Sequence, residues 1–221
     1  QNKSLNRNNF NASAAAISGF SIFANETVYL LDQKNNIDYK ILNIFLKKNH
    51  KKKFLIFGFT SNIYINLIKK INIKKIDNKD FSNSFLIHGG GWKKIEEQKL
   101  DRKLFNSCLQ KKLKIDNVRN YYGLVEQIGS IFFECNCGYF IASNYSDVII
   151  RDRNLDVCKN GETGLVQLLS LLPSSYPGHS ILTEDIGEIV NDHRCSCYGG
   201  GTRFLIHGRL KNAELRGCSN I

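Results

Sequence analysis

The chain has 221 residues, 42% hydrophobic and 11% aromatic, which is enough to bury the core of one domain or slightly more. No run of 18 apolar residues occurs and no secretory leader pattern is visible, so the expectation is a cytoplasmic protein with reduced thiols and no membrane span. The net charge of +11 sits in the first half, where residues 1–115 hold 22 Lys and Arg against 8 Asp and Glu; it lies in lysine runs such as Lys47–Lys53 without interleaved arginines and aromatics, which argues for a solvated surface and against a nucleic-acid groove.

The first predicted strand is Phe54–Phe57, followed by Gly58 and a helical pattern with Ile63, Leu67 and Ile71 on one face. Phe85–His88 is a second strand, ended by Gly89, Gly90 and Gly91. Residues 94–112 read as a helix with Ile95, Leu104, Cys108 and Leu109 on its apolar side, and Val118 leads into Asn120-Tyr121-Tyr122-Gly123. Strand, glycine turn and helix in repetition predict an α/β fold with a mainly parallel sheet. After residue 129 the runs 131–133, 148–150, 165–169, 186–190 and 204–206 are strand-like and separated by Asp, Asn and Gly turns. The expected division is therefore an α/β part over 1–129 and a β-rich subdomain over 130–221.

Five segments carry candidate chemistry in a fixed order: His88-Gly89-Gly90-Gly91-Trp92-Lys93-Lys94, Tyr121-Tyr122-Gly123-Leu124-Val125-Glu126-Gln127, Gly161-Glu162-Thr163-Gly164, Leu182-Thr183-Glu184-Asp185-Ile186-Gly187, and Gly208-Arg209 with Arg216-Gly217-Cys218. Each alone fits an ordinary turn or strand end. Two Cys-x-Cys pairs, Cys135/Cys137 and Cys195/Cys197, form a separate constellation; four thiolates can close a tetrahedral structural Zn²⁺ site, with His193 a substitute ligand.

The joint order of the five segments resembles the adenylate-forming superfamily, which includes phenylacetate-CoA ligase. The strings Phe57-Gly58-Phe59-Thr60, His88–Lys94, Tyr121–Ser130, Ser174–Ser180 and Ala213–Ser219 look most like the LuxE acyl-protein synthetases within it. The resemblance implies the large-domain fold of these enzymes and ATP-dependent activation of a fatty acid, with transfer of the acyl group to an enzyme cysteine. It implies Gly89, Gly90 and Gly91 at the nucleotide and acyl carbonyl, Tyr122 and Gly123 at the adenine, and Glu126 at Mg²⁺. It places Asp185 at the ribose hydroxyls, Arg209 at the ribose and phosphate, and Cys218 as acyl acceptor. A nearby Arg216 would favour the Cys218 thiolate. An acyl reductase or acyl carrier would then receive the acyl group.

The pattern departs from the superfamily in four places. No Ser/Thr/Gly-rich phosphate loop precedes Phe57, Val125 stands where a threonine is usual, Leu210-Lys211-Asn212 replaces the hinge acid, and no lid lysine follows Cys218. With Gln1 first and no Met in the sequence, the expectation is that an N-terminal portion is missing and that this polypeptide alone is weak or inactive in adenylation. The alternatives are an acyl-CoA ligase of phenylacetate-CoA ligase type and an inactive fragment serving as a binding module.

Overall fold

The computed structural model describes residues 12–32, 34–191, 195, 197 and 200–210. They form two compact units, the first ending at Arg119 and the second beginning at Asn120. Among the described residues no helix is long and apolar enough to cross a membrane.

In the first unit α1 (Ala12–Ser21) and α2 (Tyr39–Lys48) precede β1 (Phe54–Phe59), and α3 (Thr60–Ile63) runs into a π-helical turn over Tyr64–Lys70. Then come β2 (Ser84–Gly89) and α4 (Arg102–Leu113). The strands β1 and β2 pair in parallel from Phe54↔Ser84 to Phe59↔Gly89, as the strand–turn–helix pattern predicts. Side-chain caps start α2 and α4: Asp38 accepts from the Ile41 N–H at 3.0 Å and Asp101 from the Leu104 N–H at 2.9 Å. The Asp101 cap corrects the predicted helix over 94–112. Lys93–Gln98 is a separate 3₁₀ segment, and α4 buries Phe105, Leu109 and Leu113, four residues apart, while Leu104 faces solvent. Ile63, Leu67 and Ile71 are buried together as expected, despite the π-helical turn between them.

A polar contact is sealed inside this unit. Thr60 Oγ1 donates to the Gly89 carbonyl at 3.0 Å and lies 2.9 Å from His88 Nδ1. The hydroxyl has one proton, which goes to the carbonyl, so His88 Nδ1 carries its hydrogen and donates to the hydroxyl. Burial pushes the His88 pKa from 6.5 down to about 4. The unfolded chain thus binds a proton that the folded chain refuses as pH falls from 6.5 to about 4, and stability declines across that window by roughly 1.4 kcal/mol per pH unit.

The second unit is a sheet in the order β3-β4-β5-β9-β8-β7-β6, made of β3 (Asn117–Gly123, which enters from the first unit), β4 (Ile131–Glu134), β5 (Phe140–Ile141), β6 (Ser146–Arg151), β7 (Thr163–Ser170), β8 (Ser180–Ile189) and β9 (Arg203–Arg209). All of these pairings are antiparallel, in keeping with a β-rich second half. Phe132, Phe140, Val148, Ile150, Val166, Leu168 and Phe204 form its core. The two-residue β5 and the first half of β8 were not foreseen. Residues 180–185 alternate half-buried and exposed side chains, too polar on one face to stand out as an apolar run.

Two outcomes are expected in denaturant. Followed by fluorescence of the sole tryptophan, Trp92, the wild-type urea midpoint should fall between pH 7 and pH 5 more steeply than that of His88→Asn, which keeps an N–H donor but does not titrate; parallel declines would refute the neutral buried imidazole. Phe204→Ala, at a side chain with no solvent exposure, should cost about 3–5 kcal/mol by far-UV circular dichroism, against less than about 0.5 kcal/mol for exposed Leu210→Ala.

Candidate functional site

The residues singled out by sequence divide between the two units. Gly89, Gly90 and Gly91 belong to the first; Tyr122, Gly123, Glu126, Asp185 and Arg209 belong to the second. Cys218 and Arg216 lie outside the described residues, as does His193.

At the end of β2 the chain turns through Gly90 and Gly91 with φ of 76° and 67°. A Cβ on Gly90 would also come within 2.7 Å of the Phe59 ring, so this position is closed to other residues both by conformation and by space. The turn is held from behind by the Thr60 hydroxyl on the Gly89 carbonyl.

In the second unit four side chains meet. The Tyr122 hydroxyl donates to Asp185 Oδ2 at 2.6 Å, and Arg209 Nε stands 3.6 Å from Asp185 Oδ1 while its Nη2 donates to Glu184 Oε2 at 2.9 Å. Each position has a local cause. The Tyr122 ring packs among Phe132, Phe140 and Phe204 at centroid distances of 6.0–6.1 Å, which fixes the direction of its hydroxyl. Asp185 sits on β8 with its own N–H on Thr183 Oγ1 at 3.1 Å, and that hydroxyl donates to the Val166 carbonyl at 2.8 Å. Arg209 faces Asp185 because of an irregularity in the ladder. From Ile189↔Phe204 to Gly187↔Ile206 the register is regular, and it would place Asp185 opposite Gly208. A bulge at Ile186/Gly187 inserts His207 and moves Arg209 into that place. Two glycines permit it: Gly208 adopts φ of 138°, and a Cβ on Gly187 would lie 2.4 Å from the Leu205 carbonyl oxygen.

The electrostatics follow from this packing. Burial raises the Asp185 pKa, while the Tyr122 hydroxyl and the Arg209 guanidinium act in the opposite direction. Burial, followed by the negative charge of Asp185, pushes the Tyr122 phenol far above its usual range, so it remains a hydrogen-bond donor. The result is a half-buried carboxylate, oriented by a phenol and flanked by a cation, an arrangement suited to accepting hydrogen bonds from hydroxyl groups.

Gly123 ends β3, paired with Ile131, and Glu126 lies on the β3–β4 connection. A Cβ on Gly123 would sit 2.3 Å from the Ser130 carbonyl oxygen, so the chain can double back only with glycine there. Glu126 is exposed. Its neighbour Gln127 is buried, donating to the carbonyls of Leu168 at 3.2 Å and Gly178 at 2.7 Å and accepting from the Ser130 hydroxyl. Tyr176 Oη accepts from the Ile128 N–H at 3.0 Å. These anchors, which hold the segment carrying Glu126, escaped sequence reasoning because a glutamine and a serine in a polar turn give no sign of being buried.

The four cysteines of the two Cys-x-Cys pairs come together, with all their Sγ atoms within 4.8 Å of one another. Cys135 and Cys195 are buried, Cys197 half-buried and Cys137 exposed. Cys108 and Cys158 are free and lie outside this group.

Comparison with known proteins places this geometry in context. The chain is 26% identical over 196 residues to a long-chain-fatty-acid–luciferin-component ligase of Aliivibrio fischeri, covering 85% of this chain and half of that relative's length. The fold is similar to that of a 2-hydroxyisobutyryl-CoA ligase solved with its acyl-AMP and CoA, at a TM-score of 0.61 and 16% identity over 79% of this chain and 40% of the other. It is also similar to that of MatB from Rhodopseudomonas palustris, at a TM-score of 0.56 and 15% identity over 91% and 38%. Over the matched part the chain thus has the mixed α/β fold of adenylate-forming ligases. With a family model for acyl-protein synthetase, LuxE, matching residues 1–221, this chain belongs to the LuxE acyl-protein synthetase family.

Proposed function

We propose that the chain supplies the nucleotide site of an AMP-forming ligase that activates a long-chain fatty acid with ATP and Mg²⁺ and passes the acyl group to Cys218. The observation that carries this reading is the contact of Tyr122, Asp185 and Arg209, which sets an acceptor carboxylate beside an aromatic ring and a guanidinium. Family membership and the A. fischeri relative, named for a long-chain fatty acid, support the substrate class.

Each residue has a physical task in this reading. Asp185 accepts hydrogen bonds from the ribose hydroxyls, each worth roughly 1.5–3 kcal/mol when the acceptor is charged. Tyr122 aims that carboxylate through its hydroxyl and offers ring surface to the adenine. Arg209 places positive charge near the ribose and phosphate. Gly89, Gly90 and Gly91 allow backbone N–H groups to approach the nucleotide and acyl carbonyl. Glu126, exposed on an anchored segment, is the acid for Mg²⁺, a hard cation that takes carboxylate and phosphate oxygens.

The chemistry balances in two steps. A carboxylate oxygen of the fatty acid attacks the α-phosphorus, and pyrophosphate leaves with the electrons of the broken P–O bond. The Cys218 thiolate then attacks the acyl carbonyl, AMP leaves with the electrons of the C–O bond, and a thioester remains. That thioester is reactive enough to transfer its acyl group to a reductase or carrier.

The test is incubation of the native, full-length protein with labelled long-chain fatty acid and ATP. ATP-dependent label that hydroxylamine removes is expected on the protein, and Cys218→Ser should lose it while keeping ATP–pyrophosphate exchange. In a parallel incubation with added CoA, label on CoA with Cys218→Ser unaffected would instead favour an acyl-CoA ligase. In the exchange assay, Asp185→Asn should raise the KM for ATP roughly 10- to 100-fold, and Tyr122→Phe, which keeps the ring packing, roughly 5-fold. Unchanged KM values in both variants would remove Asp185 and Tyr122 from the nucleotide site.

A further inference from the structure

The four clustered cysteines have no task in acyl activation as proposed above, and their geometry is informative. Cys135 and Cys137 sit on the turn between β4 and β5. The Cys135 N–H bonds the Tyr139 carbonyl at 2.8 Å, the Gly138 N–H bonds the Cys135 carbonyl at 3.0 Å, and Gly138 takes a φ of 94° to close the turn. Cys195 and Cys197 sit on the connection between β8 and β9. The two loops are neighbours because β5 pairs with β9 through Phe140↔Phe204 and Ile141↔Arg203. The sulfurs meet across the loops, Cys135 to Cys195 at 3.8 Å and Cys137 to Cys197 at 3.6 Å.

These separations discriminate among the uses of four thiols. A disulfide needs sulfurs about 2.0 Å apart, which neither pair approaches. A tetrahedral ion with metal–sulfur bonds of about 2.3 Å needs sulfurs about 3.8 Å apart, close to both of these separations. Among the described residues this is also the single group of three or more His, Cys, Asp or Glu side chains arranged to hold a metal.

We infer that Cys135, Cys137, Cys195 and Cys197 form a structural zinc site. Four soft thiolates exclude Mg²⁺ and Ca²⁺, and a set of four protein ligands leaves no open position for a substrate or water. The tetrathiolate site carries a net charge of −2, and Arg203, whose Nη2 donates to the Cys197 carbonyl at 3.2 Å, brings a guanidinium to its edge. The ion ties the β8–β9 connection to the β4–β5 turn at the Ile189↔Phe204 end of the β8–β9 ladder. Asp185 and Arg209 stand at the other end of the same ladder, so the zinc holds the register from which the bulge offsets Arg209. This inference concerns the scaffold and does not depend on the proposed acyl transfer.

The experiment is metal analysis of the purified full chain, expressed with zinc and without chelators. One zinc per chain is expected, released as four thiols are consumed by a mercurial. Cys137→Ser together with Cys197→Ser, at the more exposed ligands, should lose the zinc. Should that variant fail to fold, cobalt exchanged into the wild type provides the second reading: the strong thiolate-to-cobalt absorption of a tetrahedral tetrathiolate site supports the assignment. Iron in place of zinc, disulfide-linked pairs, a metal-free folded chain that takes up neither zinc nor cobalt, or undiminished zinc in the double variant would each overturn it.

Discussion

The site in the second unit depends on one offset in one ladder. Strands β8 and β9 pair regularly from Ile189↔Phe204 to Gly187↔Ile206, and then His207 is inserted and the register slips by one residue. Because side chains alternate between the faces of a sheet, a one-residue slip decides which group stands beside Asp185. With the bulge it is Arg209; without it, Gly208 would occupy the place. Gly187 makes room for the Leu205 carbonyl and Gly208 adopts a backbone conformation that other residues avoid, so the offset is built into the chain at two positions.

Rigid apolar packing and a few buried polar anchors turn that offset into a site. Tyr122 reaches Asp185 from β3, held by three phenylalanines of the core beneath it. Gln127 binds the β3–β4 connection to two carbonyls elsewhere in the unit, and Tyr176 binds the next residue. In the first unit the Thr60 hydroxyl plays the same part for the glycine turn after β2, where an unpaired Gly89 carbonyl would otherwise cost about 1–3 kcal/mol. In both units, segments rich in glycine, which have little intrinsic preference for one conformation, are held by hydrogen bonds from buried neighbours.

Local patterns in the chain made much of this legible. The apolar runs marked β1, β2, β4, β6, β7 and β9 to within a few residues, and the Cys-x-Cys pairs identified the group whose sulfurs meet. The helix expected over 94–112 illustrates where periodicity fails. Leu104 and Phe105 are adjacent, and either could head an apolar stripe; the Asp101 cap and the packing against Trp92 select Phe105. Gln127, Ser130 and Tyr176 were invisible because a polar side chain in a turn is ordinarily solvated, and only the chain folding over it makes it an anchor.

The sequence by itself determined the family, the order of the motifs and the alternation of a strand–helix half with a strand-rich half, since these rest on residue identity and spacing along the chain. The tertiary structure decided which of those residues touch. Tyr122 and Asp185 are 63 positions apart and Cys135 and Cys195 are 60 apart, and their approach depends on strand order, register and one inserted residue. Contacts of that kind are set by the closing of long loops and the packing of distant faces, for which no local pattern in the chain carries a signal.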